Sequence, residues 1–87
     1  MISSFHPVQS EVSIILRFDA RGVAKRFRQP ATLAALDALR NGETMRFVSD
    51  CDPLPLIEQV LHRHGDRFHV RYVERGADRF IIDFERA

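Results

Sequence analysis

Ser49-Asp50-Cys51-Asp52-Pro53-Leu54-Pro55-Leu56 holds the only cysteine of the chain, set between two carboxylates where an apolar run gives way to a helix start. A cysteine acts as nucleophile or metal ligand through its thiolate, so its surroundings decide its chemistry. Asp52 is expected to cap the free N–H groups of the following turn, and Pro53 suits the first helical position because it has no N–H to leave unpaired. Cys51 would then lie one residue outside a helix N-terminus, whose partial positive charge favours a thiolate. Asp50 and Asp52 act in the opposite sense, since two nearby negative charges disfavour a third. The segment leaves two readings open: a redox thiol at Cys51, or a small turn residue with no chemistry.

A second concentration of charge, Arg21, Lys25, Arg26 and Arg28, lies upstream. These cations can form ion pairs with Asp50 and Asp52 across a crevice. They can also build a pocket for a small anion or phosphate together with a helix N-terminus. Nucleic-acid binding through the same residues is disfavoured by the net charge of +1 and the lack of interleaved exposed aromatics. His62 and His64 are two apart on a helix and diverge by about half a turn, so they cannot easily share a metal. His69 sits on a strand and His6 near the N-terminus. Without Cys-x-x-Cys or His-x-x-x-His spacing, neither a structural zinc site nor another cofactor is expected. No Ser–His–Asp arrangement, Gly-rich phosphate loop or paired-carboxylate site suggests an enzyme.

The elements that must position these residues follow from periodicity. Val12-Ser13-Ile14-Ile15-Leu16-Arg17-Phe18 reads as a strand near 12–18, ended by Asp19-Ala20-Arg21-Gly22. Leu33, Leu36 and Leu39 share a helix face, which predicts a helix near 26–40 stopped by Asn41-Gly42. A second strand is expected near 44–49 and a second helix near 53–64. In that helix Ile57, Val60, Leu61 and, at the limit, His64 share one side, and Gly65 ends it. Phe68, Val70 and Tyr72 alternate with His69, Arg71 and Val73, and the alternation resumes at Phe80, Ile82 and Phe84 after Arg75-Gly76-Ala77-Asp78. Two period-two runs around a Gly-containing turn predict an antiparallel hairpin, with strands near 67–74 and 79–85.

The order is therefore β-α-β-α-β-β, with the first two strands parallel through a right-handed crossover. The expected fold is an α/β (α+β) two-layer sandwich with two helices on one face of a four-stranded mixed sheet. Leu36, Leu39, Phe47, Ile57, Leu61, Val70 and Ile82 are its expected core. Both strand-to-helix loops, roughly 19–29 and 49–53, leave the C-terminal ends of parallel strands, where open α/β sheets place ligands. Eighty-seven residues make one domain, expected over 11–87 behind a lead-in at 1–10. No apolar run is long enough for a membrane span, and the N-terminus lacks the pattern of a secretory signal. One cysteine allows no internal disulfide, in keeping with a reducing cytoplasm.

These residues form a familiar set. The run Phe18-Asp19-Ala20-Arg21-Gly22, then Gln29-Pro30 leading into Leu36-Asp37-Ala38-Leu39, then Gly42-Glu43-Thr44, then Asp50-Cys51-Asp52-Pro53-Leu54-Pro55-Leu56, resembles an uncharacterised bacterial family (domain of unknown function 2249) with the TusA-like, or SirA-like, fold. Tyr72-Val73-Glu74-Arg75-Gly76 matches its hairpin, and the resemblance covers about residues 16–86. Neighbours of this family are often hemerythrin-like di-iron domains or nitrosative-stress proteins, so the resemblance implies redox or metal-related biology. Sulfur carriers of the TusA type bear Cys-Pro-x-Pro at the first helix, where this chain has Lys25-Arg26-Phe27-Arg28, so sulfur transfer by that mechanism is not supported. Relatives commonly carry histidines at two positions that are Gln29 and Cys51 here. If those histidines form a metal site, this chain keeps at most a thiolate and carboxylates, and tight zinc or iron binding is not expected.

The resulting expectation is a small cytoplasmic, non-enzymatic accessory or binding module of the TusA-like class. Its ligand-binding residues would be Arg21, Lys25, Arg28, Gln29, Asp50, Cys51 and Asp52, facing another protein or a small anionic ligand. Two alternatives remain: a redox or sulfur-handling protein using Cys51, and an anion- or RNA-binding module using the basic loop 21–28.

Overall fold

Runs rich in β-branched and aromatic residues form the strands, and the leucine-spaced runs form the helices. A computed structural model describes residues 14–87, so the lead-in at 1–10 and the first residues of the strand expected at 12–18 lie outside the described residues. In chain order the elements are β1 (Ile15–Asp19), α1 (Lys25–Asp37), β2 (Thr44–Ser49), α2 (Leu54–His64), β3 (Phe68–Arg75) and β4 (Phe80–Arg86). Short 3-10 turns at Ala20–Gly22 and Gly65–Arg67 follow β1 and α2. The sheet order is β1-β2-β4-β3. β1 runs parallel to β2, as a strand–helix–strand crossover requires, while β4 lies antiparallel between β2 and β3. The fold is the expected four-stranded mixed sheet with two helices.

Register sorts the side chains into two faces, because residues directly opposite on neighbouring strands point the same way. Phe18 lies beside Phe47, Phe47 opposite Ile82, Met45 opposite Phe84, and Val70 opposite Phe84. This face carries the helices, since the buried cluster joins Met45, Phe47, Phe68, Ile82 and Phe84 to Leu36, Leu39, Leu56, Ile57 and Val60. On the other face Arg17, Arg46, Asp83 and Arg71 form a row across all four strands. The Asp83 carboxylate, only 7% exposed, takes two 2.9 Å bonds from the Arg46 guanidinium and a 3.3 Å contact from Arg71. A buried carboxylate needs such a fork to offset its lost hydration.

Several expectations need correction. α1 starts at Lys25 with Pro30 inside it, and it ends at Asp37 rather than near Arg40. The Arg40 N–H, which a continuing helix would give to the Leu36 carbonyl, goes instead to the Glu43 carboxylate at 2.8 Å. Asn41-Gly42 is consequently a turn into β2, not a helix cap. Gly42 holds φ +86°, a left-handed value that glycine adopts without steric cost, and its N–H reaches the Arg86 carbonyl at 2.8 Å. Leu61, expected in the core, is 45% exposed. The inward side of α2 is set by Leu56, Ile57 and Val60, and His64 continues it to pack edge-on against Phe68. Leu61 falls beside that stripe. Val70 is half-buried, whereas Leu36, Leu39, Phe47, Ile57 and Ile82 are buried as expected. Gly65 ends α2 with φ +61°.

Candidate functional site

A cleft of about 250 Å³ opens between α1 and the start of α2, over the C-terminal end of β2. Lys25, Arg28, Gln29 and Thr32 form one wall because positions i, i+3, i+4 and i+7 lie on a single helix face. Ser49, Cys51, Asp52 and Pro53 from the β2–α2 connection form the other, with Pro55 and Leu56 from the first turn of α2. Phe47 closes the floor and joins the cleft to the core. A second hollow of about 240 Å³ lies on the opposite sheet face, around the Arg46–Asp83 pair. It holds neither the thiol nor a helix start, so the chemistry concentrates in the helix-side cleft.

Two of the four upstream cations, Arg21 and Arg28, are already engaged in ion pairs. The Arg28 guanidinium donates to Asp50 at 2.9 Å and to the Val23 carbonyl at 2.7 Å, which ties α1 to the β2–α2 connection. Asp50 is thereby held below the usual carboxylate range, mainly by its hydrogen bonds from Arg28. Arg21 does not cross the crevice. It turns back on Asp19 at 2.7 Å, and those hydrogen bonds lower the Asp19 pKa to about 2. Of the pairing expected across the crevice, the described residues form the Arg28–Asp50 bridge. Lys25 has no ion-pair partner among the described residues.

Asp52 does not cap α2. Pro53 takes the N-cap position with no side-chain cap, rather than the first helical position. The Ile57 N–H closes the first turn on the Pro53 carbonyl at 2.9 Å. Asp52 is drawn away by Tyr72, whose hydroxyl donates to it at 2.5 Å. Burial, and then this hydrogen bond to a carboxylate, push the Tyr72 pKa above its ordinary value. The Arg75 guanidinium stacks over the Tyr72 ring, 4.2 Å from its centroid. Both carboxylates flanking Cys51 thus have partners of their own. Cys51 is exposed, its N–H donates to the Ser49 hydroxyl at 3.2 Å, and its Sγ lies 3.8 Å from that oxygen.

A known sequence family matches residues 17–86, a span that holds every strand and helix apart from the first two residues of β1. The chain belongs to that family, described as an uncharacterized conserved protein (DUF2249). No curated protein and no solved structure matches it. All cleft residues fall inside the family match.

Of the residues expected at the site, Lys25, Arg28, Gln29, Cys51 and Asp52 come together around the cleft. Arg21 and Asp50 lie outside its lining, and Asp50 contributes by anchoring Arg28. Lys25, Arg28 and Gln29 stand on the first turns of α1 instead of in a loop. Sequence reasoning missed Thr32, Ser49 and Tyr72. Thr32 had a local signal, four residues after Arg28, and its buried hydroxyl donates back to the Arg28 carbonyl at 2.6 Å. Ser49, two residues before Cys51, had a similar one. Tyr72 had none, because its contact with Asp52 spans the fold. Among the described residues no three His, Cys, Asp or Glu side chains gather as a metal site, and no helix is long and apolar enough to cross a membrane.

Proposed function

We propose that this chain is a small, non-enzymatic binding module of the TusA-like class, bacterial in origin. It would work in the cytoplasm as an accessory to redox, nitrosative-stress or metal-related pathways, and its cleft would take a small anionic ligand with an apolar body. The observation that carries this reading is the start of α1. That helix has no side-chain cap and no acidic residue in its first turn, where Lys25, Arg26 and Arg28 stand instead. Cations at the positive end of a helix dipole repel it, and an anion held there relieves the conflict. Arg28 is committed to Asp50, which leaves Lys25 on the cleft wall as the cation for a ligand. Phe47, Leu56 and the rings of Pro53 and Pro55 give the cleft an apolar lining suited to the ligand's body.

The test is a titration with phenylacetate followed by backbone amide chemical shifts, with inorganic phosphate as the purely polar comparison. Phenylacetate should move the amides of Lys25, Gln29, Cys51 and Leu56 more than phosphate does, and Lys25→Glu should abolish the response. Unmoved cleft amides at millimolar phenylacetate, or a response indifferent to Lys25→Glu, would overturn the reading.

The exposure of Cys51 on the same cleft favours a second reading, a redox or sulfur-handling protein that docks on a partner. In such exchange the Cys51 thiolate attacks a partner disulfide, a mixed disulfide forms, and the partner's other sulfur leaves as a thiolate. A mixed disulfide at Cys51 after incubation with glutathione disulfide, seen by mass spectrometry, is its signature. The anion- or RNA-binding alternative through residues 21–28 loses two of its four cations, Arg21 and Arg28, to Asp19 and Asp50.

A further inference from the structure

Two side chains of opposite charge line the helix-side cleft without meeting. Lys25 stands on the α1 wall and Asp52 on the wall formed by the β2–α2 connection. Among the described residues neither forms an ion pair, with the other or with any third side chain. The neighbouring charges are committed elsewhere: Arg28 pairs with Asp50, Arg21 with Asp19, and Arg26 lies over the Phe27 ring outside the cleft lining. Lys25 adds a smaller, unbonded attraction to Asp50, which Arg28 already bridges. Asp52 is half satisfied. Its Oδ1 accepts from the Tyr72 hydroxyl at 2.5 Å, while its Oδ2 takes no hydrogen bond among the described residues. A phenol is a neutral donor, so it fixes the orientation of this carboxylate without cancelling its charge.

We infer that the ligand class of this cleft is a free amino acid with an apolar side chain, its carboxylate on Lys25 and its ammonium on Asp52. The inference rests on the anion-binding reading above and narrows it. A ligand with only a negative group answers Lys25 but meets Asp52 as a like charge. One that carries an ammonium beside its carboxylate makes a charge-assisted hydrogen bond to each wall. Phe47, Leu56 and the proline rings then take the side chain. Size points the same way. At about 250 Å³ the cleft lies below the range of roughly 300–1,000 Å³ usual for drug-sized ligands, which suits one amino acid and not a peptide. A chain terminus is also the wrong partner, because its end residue brings only one of the two charges.

Amide chemical-shift titrations of the full chain at neutral pH test this with three probes. They are L-phenylalanine, hydrocinnamate (the same skeleton without the ammonium) and phenethylamine (the same skeleton without the carboxylate). L-Phenylalanine should bind at least about tenfold tighter than either, as one added charge-assisted hydrogen bond implies. Asp52→Asn should erase its advantage over hydrocinnamate. Hydrocinnamate binding as tightly as phenylalanine overturns the inference and leaves the anion site standing, whereas cleft amides that respond to neither acid overturn both. Phenethylamine matching phenylalanine also overturns it, and so does a folded Asp52→Asn variant that keeps the preference. The comparison of the three probes needs only the native chain, so it decides the matter even where the variant does not fold.

Discussion

Replacing Leu36 and Leu61 by alanine, one at a time, separates the two leucines that periodicity places together in the core. Leu36 is fully buried between α1 and the sheet, whereas Leu61 is 45% exposed. Leucine to alanine removes three carbons. At about 0.8 kcal/mol per buried methylene, the transfer part for Leu36 alone is about 2.4 kcal/mol. A rigid wall formed by Phe47, Ile82 and Phe84 would leave part of the cavity open, and the total then lies at about 2–5 kcal/mol. For a domain of this size that is a large share of the net stability. With a urea slope of about 1 kcal/mol/M, the midpoint should drop by at least about 2 M, or the variant should be partly unfolded in buffer. Leu61→Ala should cost about 1 kcal/mol or less, since much of its surface is in water already. Urea melts followed by circular dichroism give both values, with an unchanged slope as the check on two-state behaviour. A Leu36 effect below about 0.5 kcal/mol, or a Leu61 effect as large as that of Leu36, would refute the packing argument.

Tyr72 is the only tyrosine and the chain has no tryptophan, so phenolate absorbance reads its ionisation directly. The folded midpoint should lie above about 10, and Asp52→Asn should bring it down by replacing the carboxylate with a neutral amide, which favours the neutral phenol less. Because the folded value is raised, Tyr72 contributes stability that is complete below about pH 10 and fades as pH rises further; a folded midpoint at or below 10 would remove the Asp52 contact from the argument. In acid the sign reverses. Asp19, Asp37 and Asp50 are held low chiefly by hydrogen bonds from Arg21, Arg63 and Arg28, so the stability they contribute is full above about pH 4 and is lost as pH falls toward 2. Arg21→Ala should flatten the lowest part of that decline in urea melts taken at stepped pH, and an unchanged slope would show that the Asp19 pair does not contribute.

The sequence by itself determined the element order, the parallel pairing of the first two strands, the hairpin, and the face each strand buries. Those features rest on periodicities two and 3.6 and on local turn chemistry, which act over a few residues. It also placed Lys25, Arg28, Gln29, Cys51 and Asp52 at one crevice, since strand-to-helix connections on parallel strands emerge at the same sheet edge. Choices between competing partners were a different matter. Asp52 could cap α2 or meet Tyr72, Arg21 could reach Asp50 or fold back on Asp19, and Arg40 could extend α1 or bond Glu43. In each case the alternatives are chemically alike, and only the distances fixed by the assembled sheet and helices select among them. Leu61 shows the same limit in apolar form, because a helix offers a stripe wider than its neighbours can cover, and the tertiary packing of α2 on β3 and β4 decided which leucine stayed in water.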